Sequence, residues 1–191
     1  MLLTTLTCNE SSQILPIACV GSEHLRQIAQ PVEKITPQIE KLIGSMIATL
    51  ESAHGVGIAA PQLCHGDRIF IVASRSTPRY PQAPLMTPTA MINPEIIATS
   101  DETAKDWEGC LSVPGRRGLV PRHRWIEVEY LDAAGQVQRK IFQDFIARIF
   151  QHELDHLDGI VFLDRIESSE DLYTEEEYQE IIQNDQNSNR P

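Results

Sequence analysis

The sequence lacks any apolar run near the roughly 20 residues that a membrane-spanning helix needs, so we expect no membrane association. It also lacks paired cysteines: Cys8, Cys19, Cys64 and Cys110 are widely spaced, and we expect reduced thiols rather than disulfides. The first twelve residues contain no Lys or Arg, which is atypical of a secretory signal or an Arg-rich transit peptide. We therefore predict a cytoplasmic bacterial protein, with a mature organellar form as the alternative.

Basic residues are scarce, since 16 Lys and Arg stand against 27 Asp and Glu, for a net charge of −11. Such a surface repels phosphate backbones and argues against direct, non-specific nucleic-acid binding. The acids are concentrated late in the chain: residues 167–189 hold eight acids and no Lys or Arg. We predict a single catalytic domain over residues 1–170 and an acidic C-terminal helix with a flexible tail over residues 171–191.

Hydrophobic spacing predicts segregated helices and strands. Apolar residues of 37–53 recur at helical spacing, with Thr36 as N-cap, and helical spacing returns over 143–158 before Gly159. A short helix is predicted over 174–183, and the proline-rich segment 75–89 is predicted to be an exposed loop whose role is open. Strands are predicted at 68–74, 89–100, 125–131 and 136–142. Because strands and helices do not alternate, the fold class is α+β with mostly antiparallel sheets.

The segment QHELDHLDG (151–159) places His152 and His156 one helical turn apart on one face, where both imidazoles can reach one metal ion. Glu153 follows the first histidine, in the usual position of a general base acting on metal-bound water. Apolar spacing puts both histidines near the buried side of the helix, where uncharged histidines without a metal would need other partners. The pattern therefore predicts a metal site.

A catalytic site usually has a third protein ligand, and three sources can be compared. A third histidine six residues after His156 is excluded, because residue 162 is Phe. A downstream glutamate is possible, since 175–177 is a run of three. Cys110, in WEGCLSVPG, is the other candidate, and a thiolate with two imidazoles suits Zn(II) or Fe(II).

The segment GVGIAAPQ (55–62) superficially matches a dinucleotide-binding glycine motif. That motif should follow a strand and open a helix, whereas this one follows the predicted helix 37–53 and contains Pro61. An extended segment is the better interpretation, because glycines let a ligand's backbone approach closely. Gln62 would then offer an amide donor near that ligand.

Taken together, GVGIAAPQ, EGCLS (108–112) and QHELDHLDG resemble, in order and spacing, the three sequence motifs of the peptide deformylase family. The resemblance spans about residues 10 to 166. It implies a single α+β domain whose antiparallel sheets pack around a central metal-binding helix. It also implies an enzyme that removes the formyl group from formyl-methionyl nascent peptides and releases formate, using metal-bound water. Transient ribosome association is compatible with such substrates, although the acidic C-terminal segment offers no basic docking surface.

The resemblance also implies roles for individual residues. One divalent metal, Fe(II) in the native state and Zn(II) or Ni(II) in some purified forms, would be held by Cys110, His152 and His156. Glu153 would be the general base and then acid, and Gln62 with the backbone N–H of Leu111 would stabilise the developing oxyanion. Substrate-binding residues would be Gly55, Val56, Gly57, Arg117, Phe145, Arg148 and Ile149. The stem of Arg148 would pack in the wall of the methionine pocket while its charge reaches out.

Two other functions remain open on the residues alone. A zinc endopeptidase could use the same two histidines with a tail glutamate, and would cleave internal peptide bonds. A metal-dependent module could bind formylated peptides without releasing formate, although a purely structural site has no need of Glu153.

Overall fold

The computed structural model describes residues 13–76 and 83–188. Residues outside this description are 1–12, which include Cys8, 77–82 of the predicted proline-rich loop, and 189–191. Within the described residues, no helix is long and apolar enough to cross a membrane.

Helix α1 (Pro37–Ser52) matches the predicted helix within a residue. The side chain of Thr36 accepts a hydrogen bond from the backbone N–H of Ile39, and this N-cap together with Pro37 starts the helix. Its buried apolar face packs against the first two strands of the larger sheet. The helix ends just before His54, whose φ of 52° turns the chain toward the glycine segment.

The larger sheet has five strands in the order β1-β2-β3-β6-β7, and each neighbouring pair is antiparallel. Its strands are β1 (Gly57–Ala59), β2 (Ile69–Ser74), β3 (Met86–Thr99), β6 (Trp125–Leu131) and β7 (Val137–Gln143). The predicted alternation in β6 is confirmed: Ile126, Val128 and Tyr130 are buried on one face, while Glu129 is exposed on the other. Burial on one face therefore sets the register of this strand.

The smaller sheet has three antiparallel strands in the order β4-β5-β8. They are β4 (Thr103–Cys110), β5 (Val113–His123) and β8 (Leu172–Thr174). Strand β5 joins β4 through a tight turn in which Cys110 pairs with Val113. Neither β4 nor β5 was predicted, because charged residues, glycines and prolines interrupt any alternation of apolar side chains in these segments.

Helix α2 (Asp144–Leu157) lies between the two sheets and contacts strands of both. Eleven of its residues are buried, including its polar members around His152, so it forms the centre of the fold. Gly159 follows the helix with a φ of +74°, and a Cβ there would stand 2.8 Å from the carbonyl oxygen of Arg26. The predicted α+β class with mostly antiparallel sheets around a central helix is confirmed.

The acidic C-terminal segment packs onto the smaller sheet through β8 and helix α3 (Glu175–Ser188). Thr174 and Glu177 form a reciprocal capping box: Thr174 N–H donates to the Glu177 carboxylate, and Glu177 N–H donates to the Thr174 hydroxyl. The ring of Trp107 lies 4.9 Å from each of the rings of Tyr173 and Tyr178. The division of the chain at residue 170 remains a prediction.

Candidate metal centre

Three potential metal ligands converge between β4 and α2. The ligand atoms of Cys110, His152 and His156 all lie within 4.8 Å of one another, and Cys110 Sγ lies 3.2 Å from His156 Nε2. Cys110 ends strand β4, whereas the two histidines occupy successive turns of α2 and are both buried. In a tetrahedral site, ligands at zinc distances are separated by about 3.5 Å, so the cluster is close to the size that such an ion needs.

The pKa values of the two histidines are shifted in opposite directions. Burial by itself lowers the pKa of His152, but hydrogen bonds to Cys110 and Glu108 outweigh this effect and raise that pKa well above its ordinary value. The pKa of His156 is instead lowered, first by burial and then by the neighbouring His152, so its imidazole is neutral and its nitrogen is free to coordinate. The donor set, one sulfur and two imidazole nitrogens within 4.8 Å of one another, fits a borderline divalent metal ion.

Glu108 is a site residue that the sequence did not reveal. Its Oε2 lies 2.8 Å from His152 Nδ1, which leaves Nε2 of that ring for the cluster. Arg122 donates to both oxygens of Glu108, at 2.9 and 3.1 Å, and Arg148 donates to Oε1 at 2.9 Å. Burial raises the pKa of Glu108, but hydrogen bonds from His152 and Arg122 more than reverse this and keep the carboxylate ionised.

Arg122 extends this buried network back to α2. Its Nη1 donates to Asp155 at 2.7 Å, and Asp155 also accepts from Arg165. Glu108 belongs to the EGCLS segment, but its partners are 14 to 44 residues away in the chain, so no local pattern could have shown this network.

Glu153 lies beside the cluster in a different environment. It is 4% exposed, and burial raises its pKa to about 7. Its Oε2 has no hydrogen-bond partner among the described residues, which is unusual for a buried carboxylate. The side chain also passes directly over Gly57, where a Cβ would stand 2.7 Å from Glu153 Cδ, so only glycine leaves room for it.

Gln62 lies opposite Glu153, in a short 3₁₀ turn that follows β1. Its Oε1 accepts from the backbone N–H of Ala59 at 2.8 Å, which fixes the orientation of the amide. The Nε2 group donates to Ser112 Oγ at 3.0 Å and lies 3.5 Å from Cys110 Sγ. The amide donor is therefore held at the edge of the cluster.

A cavity of about 290 Å³ opens next to the cluster and collects the predicted site residues. Its lining includes residues 55–57, Gln62, Leu111, Phe145 and Ile149. All predicted catalytic and substrate-binding residues line this cavity, together with Cys110 and His152, whereas His156 lies outside the lining. The cavity therefore brings together predicted site residues that are as many as 98 positions apart in the chain, from Gly55 to Glu153.

Arg117 lines the same cavity and is held by the C-terminal segment. Its Nε donates to Glu175 at 2.7 Å, and its guanidinium lies 5.3 Å from the centre of the Tyr178 ring. Its Nη1 occupies the space where a side chain at residue 109 would lie, so Gly109 leaves room for the guanidinium. Glu175 is thus bound to Arg117, and Glu177 caps α3, so these glutamates have other partners than a metal.

The prediction that the charge of Arg148 reaches out is wrong. Arg148 is only 8% exposed, and its guanidinium donates to Glu108 and to backbone carbonyl groups of the smaller sheet. The physical reason is the buried carboxylate of Glu108, which provides a stronger partner than water does for a side chain in this position.

Comparison with known proteins shows which family the chain belongs to. A sequence model of the polypeptide deformylase family matches residues 14–171. The chain belongs to the polypeptide deformylase family. It is 58% identical over 171 residues to peptide deformylase 2 of Nostoc sp., covering 89% of this chain and 96% of that protein. It is 47% identical over 156 residues to peptide deformylase 2 of Shewanella oneidensis, covering 82% of this chain and 86% of that protein.

Solved deformylase structures share the fold. The Met-Ala-Ser-bound crystal structure of a class I type b peptide deformylase from Acinetobacter baumannii matches with a TM-score of 0.79 and 47% identity, covering 81% of this chain and 99% of that one. Peptide deformylase from Thermotoga maritima matches with a TM-score of 0.74 and 35% identity, covering 82% and 99%. Membership of this metal-dependent family confirms the predicted enzyme class, a hydrolase that deformylates nascent peptides, and decides against the endopeptidase and binding-module alternatives.

Proposed function

We propose that this deformylase holds one divalent ion through Cys110, His152 and His156, and that Glu153 is its proton-transfer residue. The observation that carries the proposal is the convergence of one sulfur and two ring nitrogens within 4.8 Å, beside a buried carboxylate. One thiolate and two imidazoles suit a borderline divalent metal, and we propose Fe(II) as the native ion, with Zn(II) or Ni(II) found in some purified forms. A divalent ion held there acts as a Lewis acid, lowering the pKa of water at the site and polarising the formyl carbonyl.

Glu153 supplies the proton transfers. Its ionised carboxylate accepts a proton from water, and the hydroxide that forms attacks the formyl carbon. Glu153 then returns the proton to the leaving nitrogen as the C–N bond breaks, which releases formate and a peptide with a free N-terminal methionine. Burial raises its pKa to about 7, near the value at which one group is effective both as base and as acid.

The developing negative charge on the formyl oxygen needs fixed donors. The hydrogen bond from Ala59 N–H to Gln62 Oε1 fixes the orientation of the side-chain amide. The Nε2 group can therefore donate to the oxyanion with little reorganisation. The backbone N–H of Leu111, in the turn after Cys110, is the second proposed donor. Loss of one such donor typically lowers the rate by about 100-fold or more.

The peptide substrate is proposed to bind as an added strand. Strand β1 is the edge of the larger sheet and is paired only with β2 in the described residues. The backbone of Gly57, and of Gly55 and Val56 just before the strand, is proposed to pair with an extended peptide. Phe145 and Ile149 on α2 offer an apolar wall for the methionine side chain, and Arg148 closes that wall. Arg117 is proposed to contact the peptide farther along, at the rim made with Glu175.

Formate release from formyl-Met-Ala-Ser, measured with metal analysis of the same anaerobic sample, tests this proposal. The wild-type protein should release formate and contain one divalent ion per chain. Glu153→Ala should retain the ion and lose turnover by about 100-fold or more, because proton transfer by a positioned group contributes about that much. Glu129→Ala, which removes an exposed glutamate on the outer face of β6, is the matched control and should behave as wild type. Near-wild-type turnover in Glu153→Ala would contradict the assigned role.

The same preparation decides the metal. An Fe(II) enzyme should lose activity on exposure to oxygen, whereas an air-stable and fully active native form would indicate Zn(II) or Ni(II). Because the substrate is a nascent chain, we also propose that the enzyme works in the bacterial cytoplasm in transient contact with ribosomes.

A further inference from the structure

The buried guanidinium of Arg148 has no part in the chemistry described so far. We propose that Arg148 is a positioning residue that locks the hairpin carrying Cys110 against the helix carrying His152 and His156, and so sets the affinity of the site for its metal. This inference rests on the proposed metal centre and goes beyond it, since Arg148 itself is not among the proposed ligands.

The contacts of Arg148 run from the helix to both strands of the hairpin. Its Nη1 donates to the carbonyl oxygen of Val120 on β5 at 2.7 Å and to Glu108 Oε1 on β4 at 2.9 Å. Its Nη2 donates to the carbonyl oxygen of Ala104 on β4 at 2.6 Å, and the carbonyl oxygen of Asp106 lies 3.4 Å from Nη1. One planar group thus ties α2 to four points of the β4–β5 hairpin, which a point-like ammonium cannot reproduce.

The position of these contacts relative to the ligands gives them their effect. Arg148 precedes His152 by one helical turn, and Glu108 precedes Cys110 by two residues on the strand. The three ligands therefore come from two separate elements, which must be held at a fixed distance for sulfur and nitrogen to meet one ion. Glu108 is the shared point, because it bonds to Arg148 through Oε1 and to His152 Nδ1 through Oε2.

Arg122 makes a second link between the hairpin and the helix, but at a different place. It bonds to Glu108 and to Asp155, which is farther along α2 than His152. Arg148 and Arg122 therefore fasten the helix on either side of His152. Gln151 of α2 also exchanges two hydrogen bonds with the backbone of His123 at the end of β5. Loss of Arg148 removes the links from α2 to the backbone of β4 and to Val120, together with one donor to Glu108. We expect this loss to let the end of β4 that carries Cys110 shift relative to the two imidazoles.

Removing a group that orients a metal ligand typically lowers the metal affinity by about 10- to 100-fold. We expect Arg148→Met, which keeps the length and the apolar stem, to weaken Co(II) binding within that range. The control is Arg139→Met on β7, which removes an arginine whose side chain is 58% exposed and whose partner is Glu127. Arg139→Met should bind Co(II) as the wild type does.

The experiment titrates metal-free protein with Co(II) against a chromogenic chelator, and follows the absorption band that a thiolate ligand gives to Co(II). A double-mutant cycle with Glu108→Gln then separates positioning from a merely structural role. If Arg148 acts through Glu108, the two losses of Co(II) affinity are not additive. The double variant then binds Co(II) little more weakly than the single variant with the lower affinity. Additive losses, or wild-type affinity in Arg148→Met, overturn the proposal.

If Arg148→Met does not fold, Arg148→Lys carries the test: it should bind Co(II) several-fold more weakly than wild type, and equal affinity overturns the proposal. If wild-type protein itself gives no thiolate band with Co(II), the proposed metal centre fails, which is distinct from failure of the role of Arg148 alone.

Discussion

A methyl group added at Gly57 should remove activity while leaving the fold in place. The Cβ of Gly57→Ala would stand 2.7 Å from Cδ and 2.9 Å from Cγ of Glu153, whereas ordinary contact begins at 3.4 Å. The carboxylate must therefore retreat by about 1 Å, and a misplacement of that size can cost about 100-fold in rate. This corresponds to about 2.7 kcal/mol of lost transition-state stabilisation, at 1.36 kcal/mol for each factor of ten.

The assay is kcat/KM for formate release from formyl-Met-Ala-Ser, together with the metal content and the midpoint of thermal unfolding. Gly66→Ala is the matched control, because a Cβ at Gly66 meets nothing within 4 Å and its φ does not lie in the left-handed region. We expect Gly57→Ala to bind its metal normally, because the methyl group faces Glu153 rather than a ligand. We expect Gly66→Ala to match wild type in every respect.

If Gly57→Ala retains kcat/KM within a few-fold of wild type, the position of Glu153 over Gly57 is not needed for activity. Glu153 would then tolerate a 1 Å displacement, and its assigned proton transfer could not depend on its present position. A loss of metal together with activity would also count against it, because the methyl group would then act on the ligands.

Three other variants or conditions test separate parts of the site. Cys110→Ser should weaken metal retention or change the preferred ion, since a hydroxyl is a poorer ligand than a thiolate for these metals; unchanged content and affinity would count against ligation. Because burial raises the pKa of Glu153 to about 7 and the base must be ionised, kcat/KM should fall as the pH falls through or below that value. A bound cation favours the ionised form, so an acid limb centred above pH 7 would contradict this assignment. Glu175→Gln should raise KM several-fold with little change in kcat, because it weakens the support of Arg117 at the cavity rim; an unchanged KM would dismiss that role.

The elements that the sequence predicted correctly are those whose burial is periodic. Helix α1 has a capping residue, a first-turn proline and an apolar stripe, and all three act within a few residues of one another. Strand β6 alternates cleanly because only one of its faces is buried. Local spacing is sufficient for such segments, because neighbours in the sequence determine which side faces the core.

The hairpin β4–β5 was missed for the opposite reason. Its strands carry Glu108, Arg117 and Arg122, polar residues that local spacing assigns to solvent, yet all three are buried. Their burial depends on partners supplied by distant elements, α2 for Glu108 and Arg122, and α3 for Arg117. Short-range pattern cannot anticipate a charge that is buried because its counter-charge arrives from elsewhere in the chain.

The cluster of Cys110, His152 and His156 could be predicted from the sequence, because side-chain type and short motifs indicate its chemistry. Two histidines at helical spacing require only that α2 be a helix, and the structure confirms that it is one. The inclusion of Cys110 depended on resemblance rather than on spacing, because a single cysteine 42 residues before His152 has no local signature. What the structure adds is the buried network that holds these groups together.

Two buried carboxylates next to the cluster illustrate how that network divides the chemistry. Burial raises the pKa of Glu108, but hydrogen bonds from His152 and Arg122 lower it below its ordinary value, and Arg148 is a third donor to the same carboxylate. Glu153, on the helix beside His152, has no ion pair among the described residues, and burial raises its pKa to about 7. The two carboxylates are similarly buried, so the hydrogen bonds from cationic groups to Glu108 explain why its pKa is lowered while that of Glu153 is raised. Replacing Arg122 should therefore raise the pKa of the Glu108 carboxyl, because burial would then act on a carboxylate with fewer donors.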